Sequence, residues 1–90
     1  MKLMPIKQAQ AKLFNAPADK SLKEITLSTF KKDRSVGLRR NDEGWLLVEE
    51  GFESNSTELT SGSAGKRLIK EAFSREFPRS TRAYVAEIHA

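Results

Sequence analysis

Across residues 61–77, apolar positions return every three or four residues. Leu68, Ile69, Ala72, Phe73 and Phe77 fall on one side of a helix, and Lys66, Arg67, Lys70, Ser74 and Arg75 fall mostly on the other. Pro78 ends the run because it has no N–H to continue the hydrogen-bond ladder. A helix of this length holds only when another layer covers its apolar stripe. The pattern therefore predicts a helix over 63–77 and requires a partner for it.

Elsewhere the period is two. In residues 22–30, Ile25, Leu27 and Thr29 share one face, while Thr26, Ser28 and Phe30 share the other. Residues 35–40 repeat the alternation with Val36 and Leu38 inward, and Gly37 marks a close approach or a bulge. Asn41, Asp42, Glu43 and Gly44 form a turn sequence, with Gly44 able to take the backbone angles that close a short hairpin. Residues 45–53 are the most apolar strand, with Leu46, Val48 and Phe52 on one face and Trp45 and Leu47 on the other, as in a central strand. After a second turn over 53–56, residues 57–60 return as a short strand carrying Leu59. A last strand over 82–88 places Tyr84, Ala86 and Ile88 on one face.

Hairpin-length links between strands imply antiparallel pairing. The expected fold class is thus α+β: an antiparallel sheet of three to five strands with one main helix of the C-terminal half on one face. The expected core includes Leu38, Leu46, Val48, Phe52, Leu68, Ile69, Ala72 and Phe73. Residues 1–20 read either as an N-terminal arm or as a short helix. In the helical reading Pro5 lies in the first turn, Ile6, Ala9 and Leu13 share a face, and Pro17 ends the run. Residues 21–90 then make a single α+β domain.

Ninety residues suit one core. The absence of cysteine excludes disulfides, thiolate zinc sites and thiol nucleophiles, and favours a cytoplasmic setting. The longest apolar run, residues 45–48, is far short of the roughly 20 residues that span a bilayer. The N-terminal residues also lack the continuous apolar stretch of a secretion signal. No membrane association is expected.

Charge changes the picture more than composition does. Sixteen Lys and Arg against twelve Asp and Glu give +4, but residues 41–60 hold six acids and no base. All the bases lie in the flanks, which predicts a polarised surface if the fold segregates them. Ser63, Gly65, Lys66 and Arg67 at the helix start form one candidate anion site. Two cations there each cost about 0.3–1 kcal/mol against the macrodipole, a cost that a bound phosphate would remove. A solvated basic face, with Arg67–Glu71 and Glu71–Arg75 pairs, explains part of the same pattern. A nucleotide-hydrolysing loop does not fit, since Thr60 and Arg67 stand where Gly and Ser or Thr are needed.

Further bases cluster at Lys31, Lys32 and Arg34, at Arg39 and Arg40, and at Arg79 and Arg82. With Lys66, Arg67 and Lys70 they would neutralise several phosphates if folding brings them together. Trp45 and Tyr84 are either base-stacking planes or packing residues. Catalytic chemistry finds no support. There is one histidine, His89, next to the chain end, and Glu49 and Glu50 point to opposite strand faces. No metal site, cofactor or enzymatic activity is expected.

The segments SVGLRR, GWLLVEEGF and STELT followed by GSAGKRLIKEAF make three strands and a helix that opens on bases. In element order this resembles the frame of double-stranded-RNA-binding domains, and is equally similar to the phage-integrase arm-binding type of DNA-binding domain. The first resemblance implies phosphate contacts by Lys66, Arg67 and Lys70. The second implies that Arg39, Arg40 and the exposed side of the central strand enter a groove, although that strand carries Glu49, Glu53 and no base. Residues 78–90 add a strand that neither frame requires. The expected function is a non-catalytic module binding nucleic acid through phosphates. The alternative is a protein-interaction or assembly module using a sheet edge or the charge asymmetry.

Overall fold

The computed structural model describes residues 2–31, 33–42, 44–51, 54–59 and 63–89, the Ser63 side chain excepted. Strand β1 (Lys2–Pro5) leads into helix α1 (Ile6–Asn15), which ends in a 3-10 turn over Ala16–Ala18. Strands β2 (Leu22–Ser28), β3 (Ser35–Asn41), β4 (Gly44–Glu50) and β5 (Asn55–Glu58) follow, then helix α2 (Ser63–Glu76) and strand β6 (Arg82–His89). They build one antiparallel sheet in the order β1-β6-β2-β3-β4-β5. The α+β class and the C-terminal-half helix agree with the sequence reading.

The strand number does not: six strands replace the three to five expected. The extra one is β1, whose four residues, KLMP, are too few to show an alternation. It lies at the edge beside β6, where Pro5 removes no needed hydrogen bond. Pro5 then caps α1, and Ala9 and Leu13 are fully buried while Ile6 packs against the core from its margin. The Ile6 N–H donates to the Thr81 carbonyl at 2.9 Å, which ties the start of α1 to the start of β6.

Helix α2 buries Ile69, Ala72, Phe73 and Phe77, with Leu68 at the margin. Phe73 and Phe77 stack at 5.0 Å between ring centroids. Against them and α1 stand Met4, Ile25, Leu27, Val36, Leu38, Trp45, Leu47, Ala83 and Val85, all from one face of the sheet. The faces of β4 are the reverse of those expected. Trp45, Leu47 and Glu49 point into the core, and Leu46 and Val48 are half-buried on the opposite face. Phe52 lies outside the described residues. Pairing fixes this parity: Leu38 is opposite Leu47 and Val36 opposite Glu49, and a one-residue slip would turn every side chain over.

An inward carboxylate is tolerated because Arg75 of α2 meets it. The guanidinium donates to Glu49 through Nε at 2.9 Å and through the terminal nitrogen at 2.7 Å, and Glu49 is 1% exposed. These bonds, joined by a hydrogen bond with the Glu76 carboxyl, hold the Glu49 carboxyl below its ordinary range despite burial. Among the described residues, no buried side-chain polar atom lacks a partner. Among the described residues, no helix covers the sheet's other face, which presents Leu3, Thr26, Leu46, Val48, Tyr84 and Ala86. Gly37 lies at its centre; a Cβ there would come within 2.7 Å of the Ile25 carbonyl oxygen.

The Glu49→Gln variant is expected to lose about 1–3 kcal/mol, read from urea midpoints at neutral pH. A depressed carboxylate stabilises the fold above the ordinary glutamate pKa of about 4.3 and stops doing so as pH falls through its lower folded value. The gap between wild type and Glu49→Gln should therefore be constant above pH 5 and shrink below about 4. Parallel curves down to pH 3 would remove the charge from the explanation.

Candidate functional site

The sheet and the end of α2 position two loops side by side. The β2–β3 loop is closed by the Thr29 N–H donating to the Arg34 carbonyl at 2.9 Å and the Arg34 N–H donating to the Thr29 hydroxyl at 3.3 Å. The Thr29 hydroxyl in turn donates to Asp33 at 2.8 Å. That bond, helped by the nearby Arg34 and Lys31 charges, holds the Asp33 carboxyl below the usual carboxylate range. The α2–β6 loop begins where Pro78 ends the helix and carries Arg79.

Together the two loops line a cleft of ≈ 600 Å³ into which Lys31, Arg34, Arg79 and Arg82 converge. Asp33 and the buried Glu76 are the acids in its wall. Among the described residues, none of the four bases has a carboxylate within ion-pair distance. Lys32, expected in this group, lies outside the described residues.

The other candidate bases are placed elsewhere. Arg39 reaches Glu24 at 3.4 Å across the β2–β3 pair. Arg40 donates to the Leu22 carbonyl at 3.0 Å and the Asp19 carbonyl at 2.9 Å, and lies 4.4 Å from the centre of the Trp45 ring. It clamps the turn before β2 to the sheet. Trp45 lies under it at 9% exposure and offers no free plane.

Lys66, Arg67 and Lys70 are exposed on α2, whose buried Gly65 faces inward; the side chain of Ser63 is not described. Arg75, which sequence spacing pairs with Glu71, reaches Glu49 instead. Ten residues separate Lys66 from Glu76, or about 15 Å along the helix. The structure thus gathers four bases at the C-terminal end of α2, away from the helix start where the sequence reading centred them.

Aromatic side chains extend the cleft onto the open sheet face. Phe30 is 58% exposed and stacks on Tyr84 with centroids 6.1 Å apart and planes 14° from parallel. The Arg82 guanidinium lies 5.6 Å from the Phe30 ring centre. Sequence reasoning weighed Tyr84 but passed over Phe30. The signal was present in the alternation that groups Phe30 with Thr26 and Ser28 rather than with Ile25 and Leu27.

Among the described residues, no group of three or more His, Asp or Glu side chains could hold a metal ion. No helix in them is long and apolar enough to cross a membrane. His89 lies 3.2 Å from the Ser21 hydroxyl at the far end of β6. No protein-family model, curated protein or solved structure matches the chain.

The two arginines of β3 should separate structural from free charge. Arg40→Ala is expected to cost about 1–2 kcal/mol, through two charged hydrogen bonds at a partly exposed site. Arg39→Ala should stay within about 0.5 kcal/mol, as for an exposed pair. Urea midpoints measure both, and equal losses would contradict the assignment.

Proposed function

We propose that this chain is a small non-catalytic module that binds nucleic acid through phosphate contacts. The observation that carries the reading is the cleft at the C-terminal end of α2. Four bases, three from the two loops and Arg82 from the start of β6, line one concavity, and the described acids leave them without ion-pair partners. Cations held close together repel one another, and a polyanion relieves that repulsion while releasing its own counterions. The acidic residues of 41–60 that are described lie in β4, β5 and the turn before β4, outside the cleft wall. Lys66, Arg67 and Lys70 add to the field along α2 without lining the cleft.

A protein partner is the second reading, and one observation favours it. All four residues of β5 are exposed at the edge of the sheet, where a strand can be added.

Fluorescence anisotropy with labelled oligonucleotides tests the first reading. Four phosphate contacts predict an affinity that drops roughly 50- to 150-fold between about 50 and 200 mM salt. Arg79→Glu with Arg82→Glu should abolish binding while leaving the circular dichroism spectrum intact. Lys66→Glu with Arg67→Glu should weaken binding only a few-fold. A salt-independent affinity, or loss of binding only in the helix-start variant, would refute the reading. A protein complex that survives both double substitutions would support the β5 edge instead.

A further inference from the structure

We infer that the nucleic acid is single-stranded, with an unpaired base seated on the Phe30–Tyr84 stack and its flanking phosphate in the adjoining cleft. The inference rests on the phosphate-binding reading above and names its substrate class. Phe30 is one of two large apolar residues exposed by more than half among those described, and it borders the cleft itself. Its ring lies nearly parallel to Tyr84 and is more than half exposed, so the pair offers aromatic surface to a ligand. In a duplex the base faces are covered by their neighbours, and only an unpaired base can use such a plane.

The floor beside the stack suits a flat ligand. Across the strands from Tyr84 come Ser28 and then Ser35, and from Ala86 come Thr26 and then Gly37. These small side chains let a ring approach the sheet, and the hydroxyls can bond to base edges. A hollow of ≈ 210 Å³ lies on this face, lined in part by Thr26, Ser35, Gly37 and Val48. Glu24, Arg39 and Glu50 rim that hollow, with Glu24 paired to Arg39 at its far end and Glu50 in the cross-strand row of Ser35, Ser28 and Tyr84. The cation that meets a strand bound on the stack is Arg82, which sits near the ring and in the cleft wall at once.

The test compares labelled twelve-nucleotide oligothymidylate and oligouridylate with a mixed-sequence twelve-base-pair duplex, at low salt, on the full chain. Both single strands should bind at least tenfold more tightly than the duplex. Phe30→Ala should weaken single-strand binding by about 5- to 160-fold, the range for loss of one base–aromatic stack, and leave duplex binding unchanged. Phe30→Trp should restore it, with an indole emission that is quenched as the strand binds. Phe30 is exposed, so these variants keep the fold, which circular dichroism checks. Equal affinities for strand and duplex, unmoved by Phe30→Ala yet lost in Arg79→Glu with Arg82→Glu, would overturn the single-strand inference and leave the phosphate reading standing. No binding of any of the three probes would overturn both.

Discussion

The Arg75–Glu49 pair beneath the last turn of α2 fixes where that helix ends, and the cleft depends on where it ends. An apolar stripe such as Ile69, Ala72, Phe73 and Phe77 can slide along a sheet at modest cost. A buried carboxylate cannot: slippage would leave Glu49 without its partner, at a cost of roughly 3–5 kcal/mol. The bidentate geometry therefore sets both the height and the rotation of α2 over β4. Pro78 ends the helix next to the β2–β3 loop, and Arg79 is delivered to the side of Lys31 and Arg34.

This placement also accounts for the division of labour among the bases. Arg79 follows a helix C-terminus, where the backbone dipole favours positive charge. Arg40 is held by backbone carbonyls and the Trp45 ring, and Arg39 makes an exposed pair with Glu24, so neither lines the cleft with the other bases. With both helices on one face, the opposite face keeps Phe30 and Tyr84 accessible at the margin of the cleft. Coverage of one face and gathering of charge at its end are two results of one packing arrangement.

Much of the fold was legible in the chain because it rests on short-range periodicity. The α2 stripe, the parity of β2 and β3, and the β3–β4 turn all follow from neighbouring residues, and Gly44 has the positive φ (148°) that the turn requires. The face of β4 was not legible. Leu46, Val48 and Phe52 form the more apolar set, and Glu49 faces inward only because Arg75, 26 residues away, neutralises it. Strand β1 escaped notice because four residues at a sheet edge carry no repeat, and its pairing with β6 spans nearly the whole chain. The grouping of bases depended on the same long-range information. Sequence proximity made Lys66 and Arg67 the natural centre, whereas Lys31, Arg34, Arg79 and Arg82 meet only through the sheet order β6-β2-β3.

The most direct measurement is a map of backbone amide chemical shifts during titration of the isotopically labelled protein with a short oligonucleotide. Binding in the cleft predicts the largest, saturable changes at Thr29, Lys31, Arg34, Arg79, Arg82 and Tyr84, with small changes along the first turns of α2. Changes centred on Lys66, Arg67 and Lys70, or spread evenly over the surface, would contradict a site at the C-terminal end of the helix.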